Sequence, residues 1–262
     1  MARSFDIGLC IEPILPDVPF AGRIARVAAL GFRTIEFWDP VGKDLGAVRS
    51  ACDAAGVRVS DCTFADSWGP SRLHAETASV VAGFQKTVPL LRQVGCTKTI
   101  VLTGEVEKGT SAAEQKARIV DNLKALAPLA ASAGVTIVVE ALNSLVDHKG
   151  YFLDSAREGL DIIRKVDHPN VRLLYDIYHM QIMEGNIIDT VTKNIELIGH
   201  FHAAGVPGRH ELMSGELDYL HILEAIDKAG YRGAFGLEYW PTTAHDDSLA
   251  RTAAYLGLAG RR

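Results

Sequence analysis

The sequence predicts an α/β protein folded as a single (β/α)₈ barrel, one domain over residues 1–262. Three observations carry that reading. Short apolar segments rich in β-branched residues recur eight times along the chain, the pattern of buried parallel strands. Longer stretches of helical periodicity separate them, the alternation of strands with crossover helices. Five of those stretches run into a glycine, the residue that most readily takes the left-handed conformation closing a helix. The rhythm continues over nearly the whole length without a linker, which fits a closed eightfold barrel better than an open sheet.

In chain order, the predicted strands are Phe5–Cys10, Thr34–Trp38, Arg58–Phe64, Lys98–Thr103, Thr136–Glu140, Arg172–Asp176, Ile198–Ala203 and Ala234–Glu238. Each is short and apolar, as strands buried on both faces must be. Helices are expected over Phe20–Leu30, Gly46–Ala55, Glu76–Val94, Ala112–Ser132, Ser155–Val166, Asn186–Asn194, Tyr219–Ala229 and Ser248–Leu258. The closing glycines are Gly31, Gly56, Gly95, Gly134 and Gly230. An open nucleotide-binding sheet would carry a glycine-rich phosphate loop after the first strand. That position reads Cys10-Ile-Glu-Pro-Ile-Leu-Pro16.

Bulk composition narrows the function. A chain of 262 residues with 48% hydrophobic content can bury a large core. Its 27 basic and 32 acidic residues give a net charge of −5 with no long run of one sign, so neither nucleic acid nor an anionic membrane is an expected partner. Cys10, Cys52, Cys62 and Cys96 are too sparse and too far apart for a disulfide framework or a C-x-x-C motif. The N-terminus has no apolar signal core, and no apolar run approaches the roughly 18 residues of a membrane span. A cytoplasmic enzyme acting on a small molecule is the expectation, and a homo-oligomer is compatible with it.

In a barrel of this kind, functional side chains gather where the strands end, so the strand termini are the place to look for chemistry. Strands five to eight end on Glu140, Asp176, His202 and Glu238. An acid at one strand end is commonly a cap for the next helix. Four ligand-type residues in succession are a different matter, because converging carboxylates repel unless protonated or neutralised by a cation. The set is rich in oxygen and suits one divalent ion, Mn²⁺ or Mg²⁺ with Co²⁺ as a further fit, rather than structural zinc.

Other polar residues cluster around these ends. His179 is placed to face a substrate oxygen, and Arg209 to clamp a substrate carboxylate with its two-pronged guanidinium. Asn143, Asp147 and His148 follow the fifth strand in a loop expected to roof the site, with Asn143 and His148 as substrate-binding candidates. His200 shares a face with His202 by strand alternation and is read as standing behind the ligands. Glu36 and Trp38 end the second strand, while Phe64, Asp66 and Trp68 follow the third. Aromatic side chains there are candidates for the pocket wall, Trp38 foremost.

These stretches resemble the hydroxypyruvate isomerase family, within the xylose-isomerase-like TIM barrel superfamily. The resemblance covers essentially the whole chain. It is sharpest over Glu140-Ala-Leu-Asn143 with Asp147–Leu153, over Leu174–Gly185, and over Gly199–His202 with Pro207-Gly-Arg-His-Glu211 and Gly236–Pro241. It implies a metal-assisted interconversion of hydroxypyruvate and tartronate semialdehyde, with metal ligands on Glu140, Asp176, position 202 and Glu238. Position 202 departs from the pattern: hydroxypyruvate isomerases commonly carry Gln there, and the related ketose 3-epimerases carry His, as this chain does. Lys149 stands where the family loop often has Pro. The chemistry expected is proton transfer beside a carbonyl through an enediolate, with Glu140 and Glu238 as the acid and base. Ketose epimerisation at C3, or aldose–ketose isomerisation of a free sugar, is the alternative for the same site.

Overall fold

The computed structural model describes residues 3–69 and 72–258. Eight parallel strands close into a barrel in chain order. They are β1 (Asp6–Cys10), β2 (Thr34–Phe37), β3 (Arg58–Thr63), β4 (Lys98–Val101), β5 (Thr136–Glu140), β6 (Val171–Asp176), β7 (Ile198–Ala203) and β8 (Ala234–Leu237). Each pairs with the next, and β8 returns to β1 through Asp6↔Ala234 and Gly8↔Gly236. All eight predicted strands are present, within two residues at either end.

Helices α1 (Gly22–Ala29), α2 (Leu45–Ala55), α3 (Thr77–Val94), α4 (Ala112–Ala133) and α5 (Ala156–Val166) cover the first part of the barrel. Local signals in the sequence set their ends. Ser111 and Glu114 form a reciprocal capping box at the start of α4, and Gly56, Gly95 and Gly134 close α2, α3 and α4 in the left-handed conformation. Helix α5 buries Leu160, Ile162, Ile163 and Val166, each such side chain contributing about 1.5–3 kcal/mol on full burial. Gly159 on that helix lies so close to β6 that a Cβ there would come within 2.6 Å of Leu173 Cδ1. The barrel draws the helix in at that point.

One helix escapes the sequence pattern. Helix α6 (Ile177–Met183) starts directly where β6 stops, ahead of α7 (Ile187–Lys193), a short 3₁₀ turn, α8 (Tyr219–Lys228) and α9 (His245–Tyr255). Ile177, Tyr178, His179 and Met180 are all buried, so the segment shows no polar face to mark it as helical. Its cap is the last residue of the strand: Asp176 Oδ1 accepts the backbone N–H groups of Tyr178 (2.8 Å) and His179 (3.3 Å).

The main apolar core lies between the strands and the helices that wrap them. Inside the barrel the filling is uneven. Ile100, Val138 and Leu174 make a separate apolar plug contributed by β4, β5 and β6. Across from it, the interior holds Glu36, Asp61, His200 and His202, all buried. No helix among the described residues is long and apolar enough to cross a membrane.

Candidate metal centre

Parallel pairing sets the height of each ligand-type side chain. Glu140 pairs with Leu174, Asp176 with His202, and His202 with Gly236, so the ends of β5, β6 and β7 lie on neighbouring rungs. Glu238 follows directly on β8. One ligand atom from each of Glu140, Asp176, His202 and Glu238 falls within 4.8 Å of the others, and all four residues are buried. The four residues expected from the sequence are thus brought together.

His202 is the centre of the group. Its Nδ1 lies 3.2 Å from Glu140 Oε1 and 3.4 Å from Glu238 Oε2. Trp38 donates its indole N–H to Glu238 Oε1 at 2.6 Å, and Arg209 donates to Glu238 Oε2 at 2.5 Å while lying 3.8 Å from Asp176 Oδ2. Burial pushes the Asp176 carboxyl up to about 7 against the pull of Arg209 and His202. Burial also opposes charge on Glu238, but Arg209 and His202 outweigh it and hold that carboxyl well below its usual range. For His202, burial is likewise overcome, by Glu36, Glu140 and Glu238, and its basicity is raised well above normal. Three acids are therefore packed against two basic side chains, His202 and Arg209. A divalent cation fits the same place: it would replace the proton on Nδ1 and neutralise the acids directly, and the donors suit a hard ion.

Above the group is a cavity of about 230 Å³ lined by Glu140, His202, Glu238 and Arg209, with aromatic walls from Trp38, Trp68 and Trp240. His148 also lines it, its ring stacked on Trp68 at 5.9 Å. The guanidinium of Arg209 lies between the rings of Tyr178 (5.3 Å) and Trp240 (5.1 Å). Its backbone sits at φ 59°, an uncommon conformation for a residue with a side chain. Two hydrogen bonds hold it there, Arg209 N–H to the Gly205 carbonyl and Trp240 N–H to the Arg209 carbonyl, both 2.9 Å.

Other expected contact residues stand elsewhere. His179 and Asn143 are fully buried, and neither lines the cavity. Asn143 Nδ2 lies 2.6 Å from His179 Nδ1, and His179 Nε2 lies 3.5 Å from Asp176 Oδ2. The pair backs Asp176 rather than facing the cavity. Phe64 belongs to the core against Phe84, and Asp66 pairs with Lys86 outside, so of these three residues Trp68 alone walls the pocket. Glu211, buried, accepts the Thr242 N–H (3.0 Å) and hydroxyl (2.9 Å), tying the loop after β7 to the loop after β8. Spacing does not single out Trp240 or Tyr178: Tyr178 is buried in α6 with its hydroxyl donating to Asp147 Oδ2 at 2.8 Å, and the two rings meet only around Arg209.

A profile of the xylose isomerase-like TIM barrel family matches residues 24–256, and the chain belongs to that family. Within it, the chain is 32% identical to 2-oxo-tetronate isomerase of Cupriavidus necator, over 91% of this chain and 94% of that one. It is 28% identical to hydroxypyruvate isomerase of Escherichia coli, over 91% and 95%. Among solved structures, an AP endonuclease, family 2, from Brucella melitensis superposes with a TM-score of 0.88 at 25% identity, covering 95% of this chain and 98% of that one. The resemblance read from the strand ends is thus borne out at the level of the family.

Proposed function

We propose that the protein is a metal-dependent isomerase of small hydroxylated 2-keto acids, interconverting hydroxypyruvate and tartronate semialdehyde or their four-carbon counterparts. The observation that carries this reading is the convergence of Glu140, Asp176, His202 and Glu238 beneath a cavity that also holds Arg209. Relatives named hydroxypyruvate isomerase and 2-oxo-tetronate isomerase support an isomerase, and both names denote keto acids. At about 230 Å³ the cavity is below the roughly 300–1,000 Å³ of common ligand pockets, which favours three or four carbons over a six-carbon sugar.

Glu140, Asp176, His202 and Glu238 would hold one Mn²⁺ or Mg²⁺, which when bound polarises the substrate ketone and stabilises the charge of the enediolate. Arg209 binds the substrate carboxylate. Its Nε is buried without a hydrogen-bond partner, a donor left for a substrate oxygen. One of Glu140 and Glu238 takes the proton from C3 of hydroxypyruvate. The other returns a proton to C2, and the hydroxyl proton on C3 passes to the oxygen on C2, leaving an aldehyde at C3. Trp38, Trp68, Trp240 and Leu142 exclude water from the carbanionic intermediate.

His202 favours a second reading, in which the same proton transfer epimerises a ketose at C3. Endonuclease activity has less support: the net charge is −5, and DNA requires a basic tracking surface. The test is a panel of hydroxypyruvate, 2-oxo-tetronate and free ketoses, each with Mn²⁺, Mg²⁺ or chelator, in deuterated water. Turnover of a keto acid with deuterium at the reacting carbon, lost on chelation, is expected. Turnover of ketoses alone would overturn the substrate assignment, and no exchange with any substrate would leave a binding protein.

A further inference from the structure

His202 belongs to two buried groups at once. Nδ1 faces Glu140 and Glu238, and Nε2 faces down into the barrel, 3.1 Å from Glu36 Oε1. The downward contact is a charge pair that falls outside hydrogen-bond geometry, and both Nε2 and Oε1 are buried without a hydrogen-bond partner among the described residues. The other Glu36 oxygen is fixed. His200 Nε2 lies 2.9 Å from Oε2, Asp61 Oδ2 lies 3.2 Å from the same nitrogen, and Lys98 Nζ lies 3.2 Å from His200 Nδ1. With Lys98 donating at Nδ1, the proton of His200 sits on Nε2 and points at the two carboxylates.

A barrel interior ordinarily fills such a level with branched apolar side chains. Here two glycines leave it open. Gly8 and Gly236 pair across β1 and β8, and Gly236 also pairs with His202 across β7 and β8. A Cβ at Gly236 would fall 2.2 Å and 2.4 Å from the two Glu36 carboxylate oxygens. The Glu36 carboxylate occupies the volume that a side chain at position 236 would take.

We infer that Glu36 is a positioning residue for the metal centre: it engages His202 at Nε2, fixes the protonated nitrogen on that side, and presents Nδ1 to the ion shared with Glu140, Asp176 and Glu238. The inference rests on the four-residue metal reading and adds to it a residue outside the ligand set. A carboxylate behind a metal-bound imidazole sets its tautomer and orientation and raises its basicity, and losing one typically weakens binding about 10–100-fold. Gly236 is then the residue that makes the arrangement sterically feasible.

The test is Mn²⁺ binding to chelator-stripped protein, followed by calorimetry and by the electron paramagnetic resonance spectrum of the bound ion. Wild type, Glu36→Gln, Gly236→Ala and Asp61→Asn are compared, with the melting temperature of each stripped protein as a structural control. Glu36→Gln removes the charge, whereas Gly236→Ala keeps it and displaces it. Both are expected to weaken Mn²⁺ binding about 10–100-fold and to alter the spectrum. Asp61→Asn, which touches His200 but not His202, should stay within about twofold of wild type. If Glu36→Gln and Gly236→Ala bind as tightly as wild type, the inference fails and the metal site stands. Equal weakening by Asp61→Asn would overturn it too, by showing diffuse charge or an ion seated among Glu36, Asp61, His200 and His202. Absence of Mn²⁺ binding to wild type would remove the metal reading and this one together.

Discussion

The two halves of the barrel meet the site in different ways. Strands β5 to β8 each deliver one ligand-type side chain at the C-terminal end, whereas the first half sends Glu36, Asp61 and Lys98 into the barrel below and Trp38 and Trp68 around the rim. In the proposed reaction the second half supplies the groups that exchange protons. The first sets the charge beneath them and walls the space above. Substitutions in the two halves should accordingly differ in kind as well as in size.

The largest effect is expected at Glu140 and Glu238. Either Glu→Gln variant should lose about 10²–10⁴-fold in kcat with an unchanged circular dichroism spectrum, as removal of an acid or base group does. Near-normal turnover in either would break the division between the halves. Next comes Arg209, whose guanidinium lies between Tyr178 and Trp240 and bonds Glu238. Replacing it by Lys loses the fork and should raise KM for a keto acid tenfold or more, at about 1.5–3 kcal/mol for a charge-assisted hydrogen bond. A ketose substrate, lacking the carboxylate, would show a smaller KM change, and comparing the two sharpens the substrate assignment.

A smaller effect concerns pH. Burial raises Asp176 to about 7 in the metal-free protein, so below that pH the folded chain holds a proton that an incoming cation must displace. His202, also raised, adds a second. Mn²⁺ affinity should fall by about tenfold or more per pH unit as the pH drops below 7. Calorimetry in buffers of different ionisation enthalpy measures the released protons, and a flat affinity between pH 6 and 8 would contradict the buried, proton-compensated site. Smallest is Ser111→Ala, which removes the cap of α4 at an exposed position outside the cavity lining. It should cost about 1 kcal/mol in thermal unfolding and leave kcat unchanged.

The strands were legible because a closed parallel barrel buries both faces, and the resulting apolar runs end abruptly at polar residues. Most helices were legible through their caps and glycines. Helix α6 was not, since Asp176 ends a strand and caps a helix at one position, and the residues after it are buried on every side. The four ligand-type residues could be found from strand ends alone. Spacing places His179 and Asn143 near the site and so suggests substrate contacts, but it cannot say that they turn behind Asp176. The partnership of Glu36 with His202 spans strands β2 and β7 across the barrel interior, and no local pattern records it.

The central claim is that one divalent ion is shared by Glu140, Asp176, His202 and Glu238. Anomalous diffraction from crystals of the Mn²⁺-loaded protein tests it most directly. The expected result is a single manganese peak per chain, bonded to those four side chains with His202 coordinating through Nδ1. A peak seated instead among Glu36, Asp61 and His200, or none despite saturating Mn²⁺, would contradict it.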